Sequence, residues 1–126
     1  MFVGRINLEK GVHNLLRAWR ACGCPGILNL YGDLDMNFYR KYYMLFDDSS
    51  VKIHPFNNLI RNAYRDSDCF IFLSLSEGGP LVTLEAAASG LPMIVSRNGG
   101  GDICINNKTA LVVDPNDIDS VCNAIN

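Results

Sequence analysis

Between residues 69 and 96 the chain runs apolar, turns on two glycines, becomes helical and runs apolar again. Cys69-Phe-Ile-Phe-Leu73 has no polar position, so it reads as a strand buried on both faces, as central strands of parallel sheets are. After Ser74-Leu-Ser-Glu-Gly-Gly79, Pro80 is expected to open a helix, because the N–H it lacks is unpaired in a first turn anyway. Ala86, Ala87 and Ala88 propagate that helix, and Ser89-Gly90 with Pro92 stops it. Met93-Ile-Val-Ser96 is the next apolar run. Two such strands joined through a helix form a crossover, hence a parallel pair. The unit places a glycine-lined helix N-terminus at the carboxyl end of a strand, where backbone N–H groups can hold an anion. Glu77 stands just before the turn and Glu85 inside the helix, with seven residues between them. One acid near the anion site and one further along suit a ligand carrying both phosphate and hydroxyl groups.

The rest of the chain repeats the alternation. Phe2-Val3 reads as the tail of a strand whose beginning is cut away, since strands usually have about five or six residues. Val12, Leu15, Leu16 and Trp19 recur at helical spacing and predict a helix to about Arg20. Residues 27–31 read as strand two. Tyr39, Tyr42, Tyr43 and Phe46 form an aromatic helical stripe, read as packing. Residues 51–54 alternate and are stopped by Pro55, which predicts a short peripheral strand. Leu59, Ile60, Ala63 and Tyr64 supply a short helix ending near Asp66. Residues 98–102 read as a loop, 103–105 as at most one helical turn, and 110–113 as strand six. Asp114-Pro115 is expected to cap a last helix carrying Ile118, Val121, Cys122 and Ile125 on one face. The expected architecture is α/β: a Rossmann-like, doubly wound parallel sheet of about six strands, one domain over residues 1–126, truncated at both ends.

Composition narrows the partners. Eleven basic and thirteen acidic residues give a net charge of −2, so no basic field favours nucleic acid. No apolar run approaches the ~20 residues of a membrane span, and the N-terminus is too short for a signal peptide. Five cysteines without framework spacing point to a reducing cytoplasm. Cys69 and Cys122 read as small core residues, and Cys22-Gly-Cys24 has no second pair to complete a zinc site. His13 and His54 are read as packing or surface residues rather than metal ligands, so no metal is expected.

After the first strand, Arg5 and Lys10 flank a short loop. Such cations can clamp a diphosphate, arginine as a bidentate fork and lysine as a point charge, or can simply be solvated. Glu77 alone reads equally as a loop acid, a cap partner or a ligand contact. Glu85, with Leu81, Leu84 and Ala88 as neighbours, is expected on a partly buried helix face, where a carboxylate needs hydrogen-bond partners. Thr83 reads as a helix-surface residue. The rival phosphate folds lack their motifs. No Gly-x-Gly-x-x-Gly follows strand one, and no Gly-x4-Gly-Lys-Ser/Thr loop occurs. A phospho-accepting receiver needs acids where this chain has Gly4-Arg5 and His54-Pro55.

Glu77-Gly-Gly-Pro-Leu-Val-Thr-Leu-Glu85-Ala resembles the two-glutamate motif of retaining glycosyltransferases of the GT-B fold, family four, the group 1 glycosyl transferases. Phe2-Val-Gly-Arg5 and Glu9-Lys10-Gly11 resemble that family's first-strand motif, with the spacing of the cations kept. The resemblance covers essentially the whole chain as the donor-binding C-terminal half of a GT-B enzyme. It implies that Arg5 and Lys10 hold the donor pyrophosphate and stabilise the departing diphosphate, while Glu77 contacts the sugar hydroxyls near the reacting carbon. These three would be the catalytic residues. Glu85 would accept hydrogen bonds from the ribose, and Gly4, Gly78, Gly79, Pro80 and Leu81 would bring backbone to the donor. The implied activity is retaining, metal-independent sugar transfer from a nucleotide-sugar to a hydroxyl acceptor, without a cofactor. The partner is a missing N-terminal domain, which would carry the acceptor site and any peripheral membrane contact. The isolated chain would bind nucleotide and transfer little. Two departures stand out: Gly101-Asp102 replaces the family's Pro-Glu after Gly99-Gly100, and Leu34 replaces a glycine after Gly32-Asp33. The base pocket is expected near His54-Pro55-Phe56. A nucleotide-sugar epimerase of the same fold and a non-catalytic binding or interaction module remain as alternatives.

Overall fold

Among the described residues six short strands alternate with helices in the order β1 (Phe2–Val3), α1 (Val12–Ala21), β2 (Leu28–Tyr31), α2 (Met36–Phe46), β3 (Val51–His54), α3 (Ile60–Arg65), β4 (Phe70–Phe72), α4 (Leu81–Ala88), β5 (Met93–Ser96), α5 (Arg97–Gly100), β6 (Leu111–Val113) and α6 (Ile118–Ile125). These come from a computed structural model that describes residues 1–23, 25–56 and 60–126. Cys24 and Leu59, on which two of the expectations above rest, lie outside the described residues.

All the ladders are parallel. They form two three-stranded sheets, β1-β2-β3 and β4-β5-β6, rather than one continuous six-stranded ladder. The two meet where Ile71 N–H donates to the Met1 carbonyl (2.8 Å) and the Met1 amine donates to the Cys69 carbonyl (2.6 Å). Read across that seam the strand order is 3-2-1-4-5-6, the doubly wound order, and its direction reverses between β1 and β4. The loops that follow β1 and β4 therefore lie side by side at the carboxyl edge. β3 ends up at the outer edge, as its alternating pattern and Pro55 predict.

Phe70, Ile71, Phe72 and all four residues of β5 are buried, so the wholly apolar runs are central strands. Phe72 packs its ring against Phe2 of β1 (5.7 Å) and Phe70 (5.8 Å), which clamps the two sheets together at the seam. Burial of side chains this size contributes about 1.5–3 kcal/mol each. In the aromatic stripe of α2, Phe38 is the buried ring, touching Tyr42 and Phe46, whereas Tyr43 points to solvent. His13 of α1 is buried against Phe38 and Tyr42, a packing role as expected. Burial, with Arg17 and Lys41 nearby, holds its pKa below the ordinary histidine value. Cys69 and Cys122 are half-buried, at the margin of the core rather than inside it.

Three boundaries differ from the sequence reading. Pro80 is the residue before α4, not its first turn, because its ψ of 89° is not helical. Residues 97–103 are not a loop. The Ser96 side chain accepts from Gly99 N–H and starts a helical turn that passes into a 3-10 turn, Gly101–Ile103. The cap of α6 is Asp117, which accepts from Ser120 N–H, so Asp114-Pro115 lies ahead of the helix.

Candidate functional site

The site grows from the two loops that the strand reversal brings together. Leu75 N–H and Ser74 Oγ both donate to the Glu9 carbonyl, at 2.8 and 3.4 Å. Gly11 adopts φ 68°, and a β-carbon there would overlap the Leu73 carbonyl, so the loops can close only on glycine. Asn7 Oδ1 accepts from Lys10 N–H at 2.9 Å and fixes the turn that presents the lysine. Held this way, Lys10 Nζ donates to Glu77 Oε1 at 2.7 Å. The two side chains are 21% and 11% exposed, and Glu9 is a weaker second partner at 3.5 Å. Lys10 and Glu77 are thus brought together directly, which their separation in sequence does not announce.

Beyond Glu77 the chain opens into a cavity of about 560 Å³. Gly78, Gly79, Pro80 and Leu81 form one wall, and Arg97, Asn98, Gly101 and Asp102 form the other. Gly78 and Gly79 do not make the tight connection expected of them. Neither has positive φ, and a β-carbon at either would meet nothing within 4 Å. No demand of the fold accounts for them; they keep the cavity wall free of side chains, so that a ligand can approach the backbone. Gly4, with φ 144°, ends β1 and donates its N–H to the Tyr31 carbonyl at 2.9 Å. Arg5 is exposed and makes no ion pair or side-chain hydrogen bond among the described residues.

The helix face of α4 corrects two expectations. Thr83 is not on the surface: it is fully buried, and its Oγ1 donates to the Gly99 carbonyl at 2.7 Å. Glu85 is not on the buried face. It is exposed together with Leu81, Leu84 and Ala88, while Val82, Thr83 and Ala86 face the core. Glu85 does have a protein partner: Tyr64 Oη, from α3, donates to its Oε2 at 2.9 Å. Tyr64 is 2% exposed, and burial first, then the bond to Glu85, raises its pKa far above the usual tyrosine value. Its hydroxyl therefore stays a donor at any physiological pH.

Sequence reasoning missed the relay that shapes the cavity. Ser96 Oγ donates to the Ser74 carbonyl and accepts from Gly99 N–H, while Asn98 Nδ2 donates to the Leu75 carbonyl at 2.6 Å. With the Thr83 bond, these ties join the ends of β4 and β5 to α4 and α5. The available signal was the small hydroxyl closing each apolar run, Ser74 and Ser96. Near the expected base pocket, Tyr31 stacks on His54 at 4.6 Å, and His54 Nε2 bonds Asn29 Oδ1 at 2.8 Å. Another cavity, of about 450 Å³, lies at the opposite ends of the strands beside Met1, Trp19 and Cys69, away from these groups. Among the described residues no cluster of three or more potential metal ligands occurs, and no helix is long and apolar enough to cross a membrane.

The profile of glycosyl transferases group 1 matches residues 1–126. An Escherichia coli UDP-Gal:alpha-D-GlcNAc-diphosphoundecaprenol alpha-1,3-galactosyltransferase is 37% identical over 72% of this chain and 21% of its own length. Glycogen synthase of Mycobacterium tuberculosis is 31% identical over 99% of this chain and 32% of its own. The chain thus spans a fifth to a third of these relatives. Among solved structures, Anabaena HepE in complex with UDP and glucose superposes with a TM-score of 0.87 at 22% identity, over 99% of this chain and 37% of that one. The C-terminal domain of a Francisella tularensis group 1 glycosyl transferase superposes at 0.83 with 20% identity, over 98% of this chain and 71% of that one. These neighbours carry the fold, and the epimerase alternative finds no support among the relatives.

Proposed function

The chain belongs to the glycosyl transferases group 1 family, and from that membership we propose that it is the half of a GT-B glycosyltransferase that binds the nucleotide-diphosphate sugar. The whole enzyme would transfer the sugar to a hydroxyl acceptor with retention of anomeric configuration. The bond between the anomeric carbon and the diphosphate oxygen breaks, the acceptor oxygen bonds the same face of that carbon, and the acceptor's hydroxyl proton passes to the leaving diphosphate. Negative charge then gathers on the leaving diphosphate. Lys10 and Arg5 are the groups to offset it, with the backbone around Gly78, Gly79, Pro80 and Leu81 receiving phosphate and sugar. Removing one preorganised donor of this kind typically costs about 3–4 kcal/mol of transition-state stabilisation. Glu77 is assigned to the sugar hydroxyls and Glu85 to the ribose; Gly4 lets the loop carrying Arg5 leave the sheet beside them. With these cations at the diphosphate, neither a metal ion nor a cofactor is required by the reading. The acceptor site belongs to an N-terminal domain, so this chain by itself is expected to bind nucleotide and to turn over little, in the cytoplasm.

One observation carries the reading: Lys10 and Glu77 meet at 2.7 Å where the strand order reverses, at the mouth of a cavity whose glycine wall has no other purpose in the fold. What supports the choice of ligand is the UDP and glucose bound by Anabaena HepE and the nucleotide-sugar in the name of the E. coli relative. The test is calorimetric or NMR titration of the chain with uridine, guanosine and adenosine diphosphates, with and without the attached sugar. Saturable binding by at least one is expected. A folded sample that binds none of them refutes the proposal.

A further inference from the structure

We propose that Tyr64 is a positioning residue for nucleotide recognition, presetting the Glu85 carboxylate to receive the ribose hydroxyls. The proposal rests on the reading of Glu85 as the ribose acceptor and adds a residue to it. Glu85 lies on the exposed face of a helix, where a glutamate side chain ordinarily samples several rotamers. Here one oxygen is captured: Tyr64 Oη donates to Oε2 at 2.9 Å. Oε1 has no bond among the described residues and is left to accept from a ligand.

The donor is itself immobile. Tyr64 is 2% exposed, and its ring packs on Phe70 of β4 at 6.1 Å. Its hydroxyl also reaches the Val82 carbonyl, at 3.4 Å, one helical turn ahead of Glu85. The carboxylate is therefore referenced to the central sheet through a buried ring, not to its own flexible stem. A phenol donates one proton and carries no charge, so it orients the carboxylate without neutralising it. A lysine or arginine at the same place would compete with the ribose for both oxygens. Preorganisation of this kind reduces the ordering needed on binding and sharpens discrimination for a ligand with the matching hydroxyls.

The experiment compares uridine, guanosine and adenosine diphosphates with their dideoxyribose analogues, by calorimetry on the unaltered chain, Tyr64→Phe, Glu85→Gln and the double variant. Tyr64→Phe keeps the ring on Phe70 and removes only the hydroxyl. For the nucleotide that binds, the preference for ribose over dideoxyribose is expected to fall about tenfold in Tyr64→Phe, as for loss of one hydrogen bond to a charged group. Affinity for the dideoxy analogue is expected to stay unchanged, and Tyr64→Phe should add nothing in the Glu85→Gln background. A merely structural role would lower both affinities together; that result, or an unchanged ribose preference, overturns the proposal. If Glu85→Gln itself leaves the preference intact, the ribose assignment of Glu85 fails, and this inference fails with it. Thermal unfolding of each variant confirms that the comparison is between folded proteins.

Discussion

The Lys10–Glu77 pair makes a counter-intuitive prediction: removing the charge of a residue assigned to the site should strengthen nucleotide binding. At about 4 Å between charge centres and an effective dielectric of about 20, the pair attracts by about 4 kcal/mol. Desolvation of two half-buried groups offsets much of this, and a charged hydrogen bond nets about 1.5–3 kcal/mol. A diphosphate must take Lys10 Nζ from Glu77, or share it, with the carboxylate still nearby. Glu77→Gln keeps the shape and an acceptor oxygen but removes the opposing charge. The expected outcome is roughly tenfold tighter binding of the bare nucleoside diphosphate, equivalent to about 1.4 kcal/mol, read by calorimetry. The gain should depend only weakly on salt, because the two side chains are just 21% and 11% exposed and partly buried pairs are screened little. The gain should also be smaller for the nucleotide-sugar, since Glu77 is assigned to the sugar hydroxyls. Lys10→Met, in contrast, is expected to weaken both ligands. Unchanged or weaker diphosphate binding by folded Glu77→Gln refutes the idea that the pair opposes the ligand.

Thr83→Val keeps the volume but strands the Gly99 carbonyl in a buried place; it should cost about 1–3 kcal/mol in urea unfolding, and an unchanged midpoint would discount the bond. Gly11→Ala and Gly79→Ala should separate fold from site. The first forces a β-carbon into the Leu73 carbonyl at φ 68° and should lose well over about 1 kcal/mol of stability, with the melting temperature as readout. The second meets only open space, so its melting temperature should hold while nucleotide affinity falls. His13 should make stability depend on pH. Its pKa is lowered in the fold from the unfolded value of 6.5, so the unfolded chain binds the extra proton first. The contribution is present above about pH 6.5 and lost as pH falls below it, and His13→Asn should flatten the melting temperature between about pH 7 and 5.

Much of the fold was legible because strand and helix leave different periods in the sequence. The runs at residues 69–73 and 93–96 are too apolar to be anything but interior, and the stripe Val12, Leu15, Leu16, Trp19 has one helical phase. Parallel pairing followed from the helices between strands. The short polar turn at residues 97–103 was not legible, because its helix is started by one side chain, Ser96 at the end of β5, accepting from the Gly99 N–H, and the residues that follow carry no apolar period. Nor was the cap of α6, where Asp114 and Asp117 compete and only the backbone path chooses between them.

The sequence by itself determined which chemical groups are available at the site: two cations after the first strand, two acids with seven residues between them, and glycines in that interval. It could not determine how they are spent. Helix α4 is apolar on nearly every side, with Leu81, Val82, Leu84, Ala86, Ala87 and Ala88, so its pattern carries almost no phase. Only tertiary packing turned Val82, Thr83 and Ala86 toward the core and left Leu81 and Leu84 facing out, 70% and 49% exposed. That rotation buried the residue expected outside, Thr83, and exposed the one expected inside, Glu85. The Lys10–Glu77 and Tyr64–Glu85 contacts are tertiary for the same reason. Each joins side chains from different elements, and the strand order that brings those elements together appears in no local stretch of the chain.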